Sequence, residues 1–128
     1  MKFSTALIGC CAIAAFGLSL VYLAQIWFAE NLDFERNSLA YYLVGAAAVD
    51  RVADQIDCGA RHYQYSAGDG AKAGYVAVRC ATKWSLSAVD GQMAEAGYTR
   101  SSDPLTNSTY AIVDQQPAAT TVAITRFE

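Results

Sequence analysis

The sequence predicts a single N-terminal transmembrane helix followed by a small α+β domain of two layers. No charged residue occurs between Lys2 and Glu30, and about a hundred residues follow, enough for one small domain. Those residues alternate helical patterns with pairs of strand patterns, which predicts the order α-β-β-α-β-β with an antiparallel sheet. The chain is thereby divided into an anchor over residues 1–29, a juxtamembrane connector over 30–37 and an extracytoplasmic domain over 38–128.

The uncharged segment from Phe3 to Ala29 is longer than a bilayer requires. As a helix it reaches about 40 Å, against about 30 Å of hydrocarbon. A cleaved secretory signal also begins with a basic residue, but its apolar core has only about 7–15 residues and ends at a small-x-small site. Here the nearest candidate site has Tyr22 where a small residue is needed, and Trp27 and Phe28 suit the headgroup level. We therefore expect a retained signal-anchor.

The charges that flank the segment predict its orientation. Lys2 precedes it, whereas Glu30, Asp33, Glu35 and Arg36 follow it. The positive-inside rule then places the N terminus in the cytoplasm and the domain outside, in the periplasm if the source is bacterial. Beyond the segment acidic residues outnumber basic ones, so we expect no nucleic acid partner.

Small side chains along the apolar segment predict contact with a partner helix. Ala6, Cys10 and Ala14 repeat every four residues, and Gly9 and Gly17 add to the small surface. Such a surface lets another helix approach closely. The alternative is that small residues are simply common in spanning helices.

Residues 7–10, Leu-Ile-Gly-Cys, resemble the lipobox at which bacterial lipoproteins are cleaved and lipidated. Only nine residues precede Cys10, which is short for a signal with basic and apolar regions. The simpler interpretation is that Cys10 and Cys11 are small helix-packing residues.

The two cysteines of the domain, Cys58 and Cys80, predict a disulfide bond. An extracytoplasmic compartment is oxidising, and closing this loop stabilises the domain by about 3 kcal/mol. Alternatively, Cys80 is a buried thiol, or Cys58 and His62 form a metal or nucleophilic pair. The chain has a single His and no Cys-x-x-Cys, so a metal site lacks ligands and we expect neither metal nor other cofactor.

Helical spacing predicts the first helix of the domain from about Ser38 to Cys58. Ser38 suits the N-cap position and Gly59 the C-terminal stop. One side of this helix is apolar: Leu39, Tyr42, Leu43, Ala46, Val49, Val52, Ala53 and Ile56.

Three carboxylates lie on the polar side of that helix. Asp50, Asp54 and Asp57 have a spacing that could bind a cation, although hard cations also need oxygen ligands from loops. Because Arg51 lies among them, we interpret them as a solvated helix face.

Four later segments are rich in strand formers and are arranged as two hairpins: residues 61–66, 75–81, 109–114 and 120–127. A glycine-rich loop over 67–74 joins the first pair, and alternation places Cys80 on the inner face of the sheet. Between the hairpins we expect a helix that is capped by Ser85 or Ser87 and stopped by Gly97, followed by a turn at 101–104.

Tyrosines predict a protein interface on the first hairpin. Tyr63, Tyr65 and Tyr75 are expected to share a surface, and tyrosine suits protein contacts because it combines area with few rotatable bonds. The alternative is that a small domain uses tyrosine to cover the edges of its sheet.

No catalytic set accompanies these features, because His62 has no nucleophile elbow near it. We therefore predict a membrane-anchored protein-interaction module rather than an enzyme, as an accessory or assembly subunit of a larger membrane complex. Its partners would be other membrane protein subunits and, through the anchor, the lipid bilayer. A small secreted enzyme or ligand binder that uses His62 is the less favoured alternative.

A second alternative is a structural subunit. An apolar N-terminal helix that continues into an amphipathic helix, followed by a disulfide-bonded antiparallel sheet, resembles the outline of pilins and pseudopilins. This resemblance implies a pilin-like subunit. The prepilin pattern of Gly, then Phe, then Glu at the fifth mature position is missing, since no acidic residue occurs between Lys2 and Glu30.

Overall fold

The computed structural model describes residues 2–28, 31–69, 71–101 and 107–127. A long apolar helix, α1 (Lys2–Trp27), precedes a small domain that contains both strands and helices. The elements of the domain follow in this order: β1 (Leu32–Phe34), α2 (Leu39–Leu43), α3 (Ala47–Gln55), β2 (Arg61–Ser66), β3 (Tyr75–Thr82), α4 (Leu86–Glu95), β4 (Thr99–Arg100), β5 (Ser108–Gln115) and β6 (Thr120–Phe127).

The described strands form one sheet in the order β1-β2-β3-β6-β5-β4. The pairings are antiparallel except that β4 runs parallel to β5, so the sheet is mixed and the predicted α-β-β-α-β-β antiparallel pattern is corrected. The additional strands, β1 and β4, lie at the two edges and have three and two residues. Segments so short carry no alternation of apolar and polar residues, which is why the sequence pattern does not predict them.

The two predicted hairpins are confirmed as β2–β3 and β5–β6. In the centre of the sheet β3 pairs with β6, and Val78 lies opposite Ile124. Gly70 in the first loop and residues 102–104 of the predicted turn lie outside the described residues, as do positions 29 and 30 at the anchor boundary.

The single helix predicted from Ser38 to Cys58 is divided into α2 and α3. Gly45 lies between them at φ +71°, a left-handed conformation that glycine adopts without steric cost and that ends a helix. Ser38 does cap α2, because its side chain accepts a hydrogen bond from the Tyr41 N–H.

The C-terminal stop of α3 is not Gly59, as predicted, but Asp57. Asp57 adopts φ +49°, and the Cys58 N–H donates to the Ala53 carbonyl at 3.1 Å, as in a Schellman motif. The Gly59 N–H instead donates to the Ala81 carbonyl at 2.9 Å and joins the helix end to β3.

The second predicted helix, α4, is confirmed with its caps. The Ser85 side chain accepts from the Ala88 N–H, Gly97 is left-handed, and the Tyr98 N–H donates to the Met93 carbonyl at 2.9 Å. Both ends of this helix are thus satisfied by the residues that the sequence indicates.

The hydrophobic core lies between the sheet and the helices α3 and α4. We call the face of the sheet that packs against these helices the inner face. The fully buried apolar side chains of the core come from both layers: Val49, Ala53, Ile56, Val78, Val89, Met93, Val122 and Ile124. Ile26, near the end of α1, is also buried in this cluster. The apolar helix is therefore packed into the domain at its C-terminal end.

The helix α1 is long and apolar enough to cross a membrane. Its candidate span, Ser4–Trp27, has a mean hydropathy of 2.2. Within this span, the most apolar stretch of 18 residues, which we call the apolar window, contains no residue that is buried by the domain. The connector predicted over 30–37 contains β1, and Asp33 pairs with Gln64 of β2, so the chain returns directly into the sheet after the helix.

The disulfide bond predicted between Cys58 and Cys80 is confirmed. The two Cα atoms are 5.6 Å apart and the cysteines are separated by 22 residues. The bond joins the end of α3 to the inner face of β3, so it fastens the helical layer to the centre of the sheet.

Removal of this disulfide bond tests how much it contributes to the free energy of unfolding of the domain. We expect Cys58→Ser/Cys80→Ser to lower the free energy of unfolding by about 3 kcal/mol, because the unfolded chain regains the entropy of an open loop. Urea denaturation of the full chain in detergent measures the change. The matched control is Cys10→Ser/Cys11→Ser, which replaces two unpaired, exposed thiols and should leave the urea midpoint in place; an equal loss in both variants would contradict the prediction.

Candidate functional site

The face of the sheet opposite the core is the outer face, and none of the described helices covers it. Side chains that alternate with the core residues point to this face, among them His62, Gln64, Ala77 and Thr125. Together with their neighbours they line a groove of about 410 Å³, which we call the outer groove: Asp33, His62, Gln64, Tyr75, Ala77, Val78, Arg79, Ala123, Thr125 and Phe127.

The outer groove has an aromatic end and a charged end. Tyr75 and Phe127 meet edge to face with ring centroids 6.1 Å apart. At the other end the His62 Nε2 lies 3.0 Å from the Asp33 Oδ1. Between the two ends lie the small side chains of Ala77, Ala123 and Thr125, together with Gln64. A protein segment could approach the strands closely at the small residues while its own side chains reach either end.

The groove gives His62 a partner on an open surface. Both His62 and Asp33 are exposed to solvent, and a pair on an open surface gains little from a low-dielectric environment. Among the described residues no group of three or more His, Cys, Asp or Glu side chains is placed to hold a metal ion.

The three tyrosines that were expected to share a surface are divided between the two faces. Tyr63 and Tyr65 are buried on the inner face, 1% and 8% exposed, whereas Tyr75 lies in the outer groove. The reason is the register of the hairpin: Tyr65 pairs with Val76 and not with Tyr75, and residues paired across two strands share a face. A protein contact at Tyr75 stays a prediction.

The residues expected to pack against a partner helix lie on α1. Ala6, Gly9, Cys10, Ala14 and Gly17 are all exposed, and Gly9 and Gly17 have open space where a Cβ atom would stand. Their surface is accessible to lipid or to another helix, and contact with a partner helix stays a prediction.

A buried carboxylate, Asp50, was not expected from the sequence, which placed it on a solvated face. Asp50 is 3% exposed. It follows Ala46 by four residues and precedes Ala53 by three, and both alanines are fully buried; this spacing is the signal that places Asp50 on the inner side of the helix. Asp54 and Asp57 are exposed, as interpreted.

Four donors from three segments of the chain surround the Asp50 carboxylate. Its Oδ1 accepts from the Tyr63 hydroxyl at 2.6 Å and from Arg61 at 2.5 Å, and its Oδ2 accepts from the Tyr41 hydroxyl at 2.7 Å. Arg36 Nε completes the group at 3.1 Å from Oδ2. We call these five residues the Asp50 cluster; it joins α2, α3, β2 and the chain after β1.

The protonation of the cluster follows from its contacts. Burial raises the pKa of Asp50, but the hydrogen bonds from Tyr63, Tyr41 and Arg61 outweigh burial, so the net pKa lies below the usual 3.8. Burial and then the bond to Asp50 raise the pKa of Tyr63 to about 12. At neutral pH the cluster therefore holds an ionised carboxylate and neutral phenols.

The cluster positions one end of the outer groove. Arg61 and Tyr63 alternate along β2 with His62 and Gln64, and Phe34 of β1 stacks on Tyr63 with centroids 5.6 Å apart. Because fixing Tyr63 holds both β2 and the neighbouring strand β1, His62 and Gln64 are held on the outer face.

The second half of the domain repeats this arrangement in a simpler form. Tyr110 of β5 donates to Asp90 of α4 at 2.5 Å, as Tyr63 of β2 donates to Asp50 of α3. Tyr63, Val78, Ile124 and Tyr110 lie in one row across the sheet. A helix carboxylate thus anchors the outer strand of each hairpin.

Comparison of the chain with protein-family models, with curated proteins and with solved structures finds no match.

Replacement of Asp50 tests whether the cluster holds the fold. We expect Asp50→Asn to lower the free energy of unfolding by about 3–5 kcal/mol, because Arg61 is left buried beside an uncharged amide. The control is Asp54→Asn, since Asp54 binds the same Arg61 at 2.6 Å but is exposed, and its removal should cost below about 1 kcal/mol. Similar losses in the two variants, measured by urea denaturation, would contradict this account.

The stabilisation by Asp50 should depend on pH. Because its folded pKa lies below the usual 3.8, the contribution is complete above that value and is lost as the pH falls through the folded pKa. The difference in unfolding free energy between the wild type and Asp50→Asn should therefore be constant near neutral pH and shrink in acid. Urea titrations at a series of pH values measure it, and a difference that grows in acid would refute the assigned direction.

Proposed function

We propose that the protein is a membrane-anchored interaction subunit whose domain stands outside the cytoplasm and binds another protein through the outer groove. The observation that carries the proposal is the exposure of α1. Its apolar window is not buried by the domain, and an apolar surface of that size needs lipid or protein to cover it.

The length of α1 supports a spanning role. The 24 residues of its candidate span extend about 36 Å as a helix, compared with about 30 Å of hydrocarbon. Trp27 lies at the end of the span and suits the headgroup level. The burial of Ile26 in the core supports a domain that begins directly at the membrane surface.

Charge and redox chemistry support the proposed orientation. Lys2 lies before α1, whereas Asp33 and Glu35 follow it, which favours a cytoplasmic N terminus. The disulfide between Cys58 and Cys80 is the bond expected in an oxidising compartment.

A role in a larger membrane complex rests on two uncovered surfaces. The small side chains of α1 offer a close approach to a partner helix, and the outer groove combines an aromatic end and a charged end with small residues between them, Ala77 and Ala123 among these. Aromatic residues are typical of protein interfaces. An accessory or assembly subunit would use both surfaces at once.

The pilin-like subunit is the alternative proposal. It has less support because β1 lies between α1 and α2, so the apolar helix does not continue into the amphipathic one. The mature N terminus, determined by mass spectrometry, distinguishes the two, because prepilin processing removes the first residues.

Extraction of membranes with alkaline carbonate tests the anchor. We expect the full-length chain to stay in the membrane pellet, because transferring the apolar window to water is unfavourable. A soluble protein added to the same membranes serves as the control and should be released. Recovery of the intact chain in the supernatant would contradict the proposed anchor.

Photo-crosslinking tests the groove. A photoreactive phenylalanine analogue at Tyr75 should form a discrete adduct with another protein in native membranes, since Tyr75 lies in the groove. The matched control places the analogue at Glu95, an exposed residue of α4 on the other layer. Adducts with the same protein at both sites, or none at Tyr75, would count against the groove as the contact surface.

A further inference from the structure

An apolar crevice lies where α2 meets α1. It has a volume of about 370 Å³ and is lined by Leu18, Ser19, Tyr22 and Leu23 of α1 with Leu39 and Leu43 of α2. The Ser19 hydroxyl in this crevice donates a hydrogen bond to the Ala15 carbonyl at 2.9 Å. The crevice therefore offers mostly apolar contacts, and the Ser19 hydroxyl does not need a water molecule as its partner.

The helix α2 has an inner and an outer side. Ala40 and Tyr41 are buried against the domain, whereas Leu39, Tyr42 and Leu43 are exposed. The Tyr41 hydroxyl donates to Asp50, so the Asp50 cluster fixes which side of α2 faces outward. Two leucines and a tyrosine on one short helix are thus held away from the core.

The level of the crevice along α1 indicates what covers it. Measured from Ser4, the start of the candidate span, Leu18 lies about 21 Å and Leu23 about 28 Å along the helix axis. The hydrocarbon of a bilayer extends about 30 Å. The residues of α1 that line the crevice therefore lie in the last part of the hydrocarbon, and α2 lies beside them.

We propose that α2 is an interfacial membrane helix, and that acyl chains of the outer leaflet occupy the crevice between α2 and α1. This inference rests on the proposed membrane anchor. Leu39 and Leu43 contact hydrocarbon, and Tyr42 lies at the headgroup level with its hydroxyl bonded to the Asn37 side chain at 3.2 Å. Lipid is the favoured occupant because one wall of the crevice is α1 itself, whose exposed surface is continuous with it.

Such a contact would restrain the domain. A domain joined to the bilayer by α1 alone could tilt about the helix end, whereas a second contact at α2 holds one face of the domain against the leaflet. The groove would then be presented at a fixed height, where it can meet the membrane-proximal part of another subunit.

Fluorescence quenching by lipid tests this inference on the full chain. The background variant is Trp27→Phe/Trp84→Phe, so that the added tryptophan is the only one, and the probe is Leu43→Trp. The control is Val113→Trp on β5, because Leu43 and Val113 are equally exposed, at 47%. Each variant is reconstituted into phosphatidylcholine vesicles with and without bromine on the acyl chains. Circular dichroism verifies that each variant folds. If Leu43→Trp does not fold, Leu39→Trp serves as the probe instead.

We expect the probe at position 43 to lose most of its fluorescence in brominated vesicles, while the control at position 113 keeps its intensity. If both keep their intensity and the chain resists alkaline extraction from the vesicles, the interfacial helix is refuted and the anchor stands. A blue-shifted but unquenched probe means that a second copy covers the crevice, which also refutes lipid as its occupant. Release of the chain by alkali refutes the anchor and this inference together.

Discussion

The buried carboxylate of Asp50 is the constraint on which the arrangement of the domain depends. A charge in the core is unfavourable unless donors surround it, and here the donors come from β2, α2 and the chain after β1. Satisfying one carboxylate therefore helps to set the positions of three segments, which also contact one another where Phe34 and Tyr41 pack on Tyr63. β1 and β2 also carry one end of the outer groove, and α2 is the helix proposed to contact the membrane, so a polar contact in the core connects both proposed surfaces.

Much of the fold follows from local signals in the sequence. Both long hairpins have alternating strand patterns, and Ser38 and Ser85 cap their helices as expected. Cys58 and Cys80 meet because Cys58 follows the end of α3 and Cys80 occupies an inward position of β3. These features depend on local capping and turn signals or on a period of two, which are visible in the sequence alone.

The features that were not predicted depend on contacts between distant segments. The edge strands β1 and β4 exist because a neighbouring strand offers unpaired backbone groups, not because their own residues favour a strand. The left-handed turns at Gly45 and Asp57 decide where the helices end. The burial of Asp50 could have been inferred from its spacing to Ala46 and Ala53, but its donors Tyr63 and Arg61 become neighbours only when β2 packs on α3. For the same reason the outer groove was not predicted as a site: the register of β2 against β3 decides which tyrosines face it.

The central claim is that the Asp50 cluster joins β1 and α2 to the central strands of the sheet rather than stabilising the domain uniformly. Hydrogen–deuterium exchange, resolved by segment, in the wild type and Asp50→Asn tests this most directly. Protection of the amides should be lost first and most in β1 and α2, while β3 and β6, at the centre of the sheet, stay protected. Equal loss of protection in all these elements, or no change in β1 and α2, would contradict the claim.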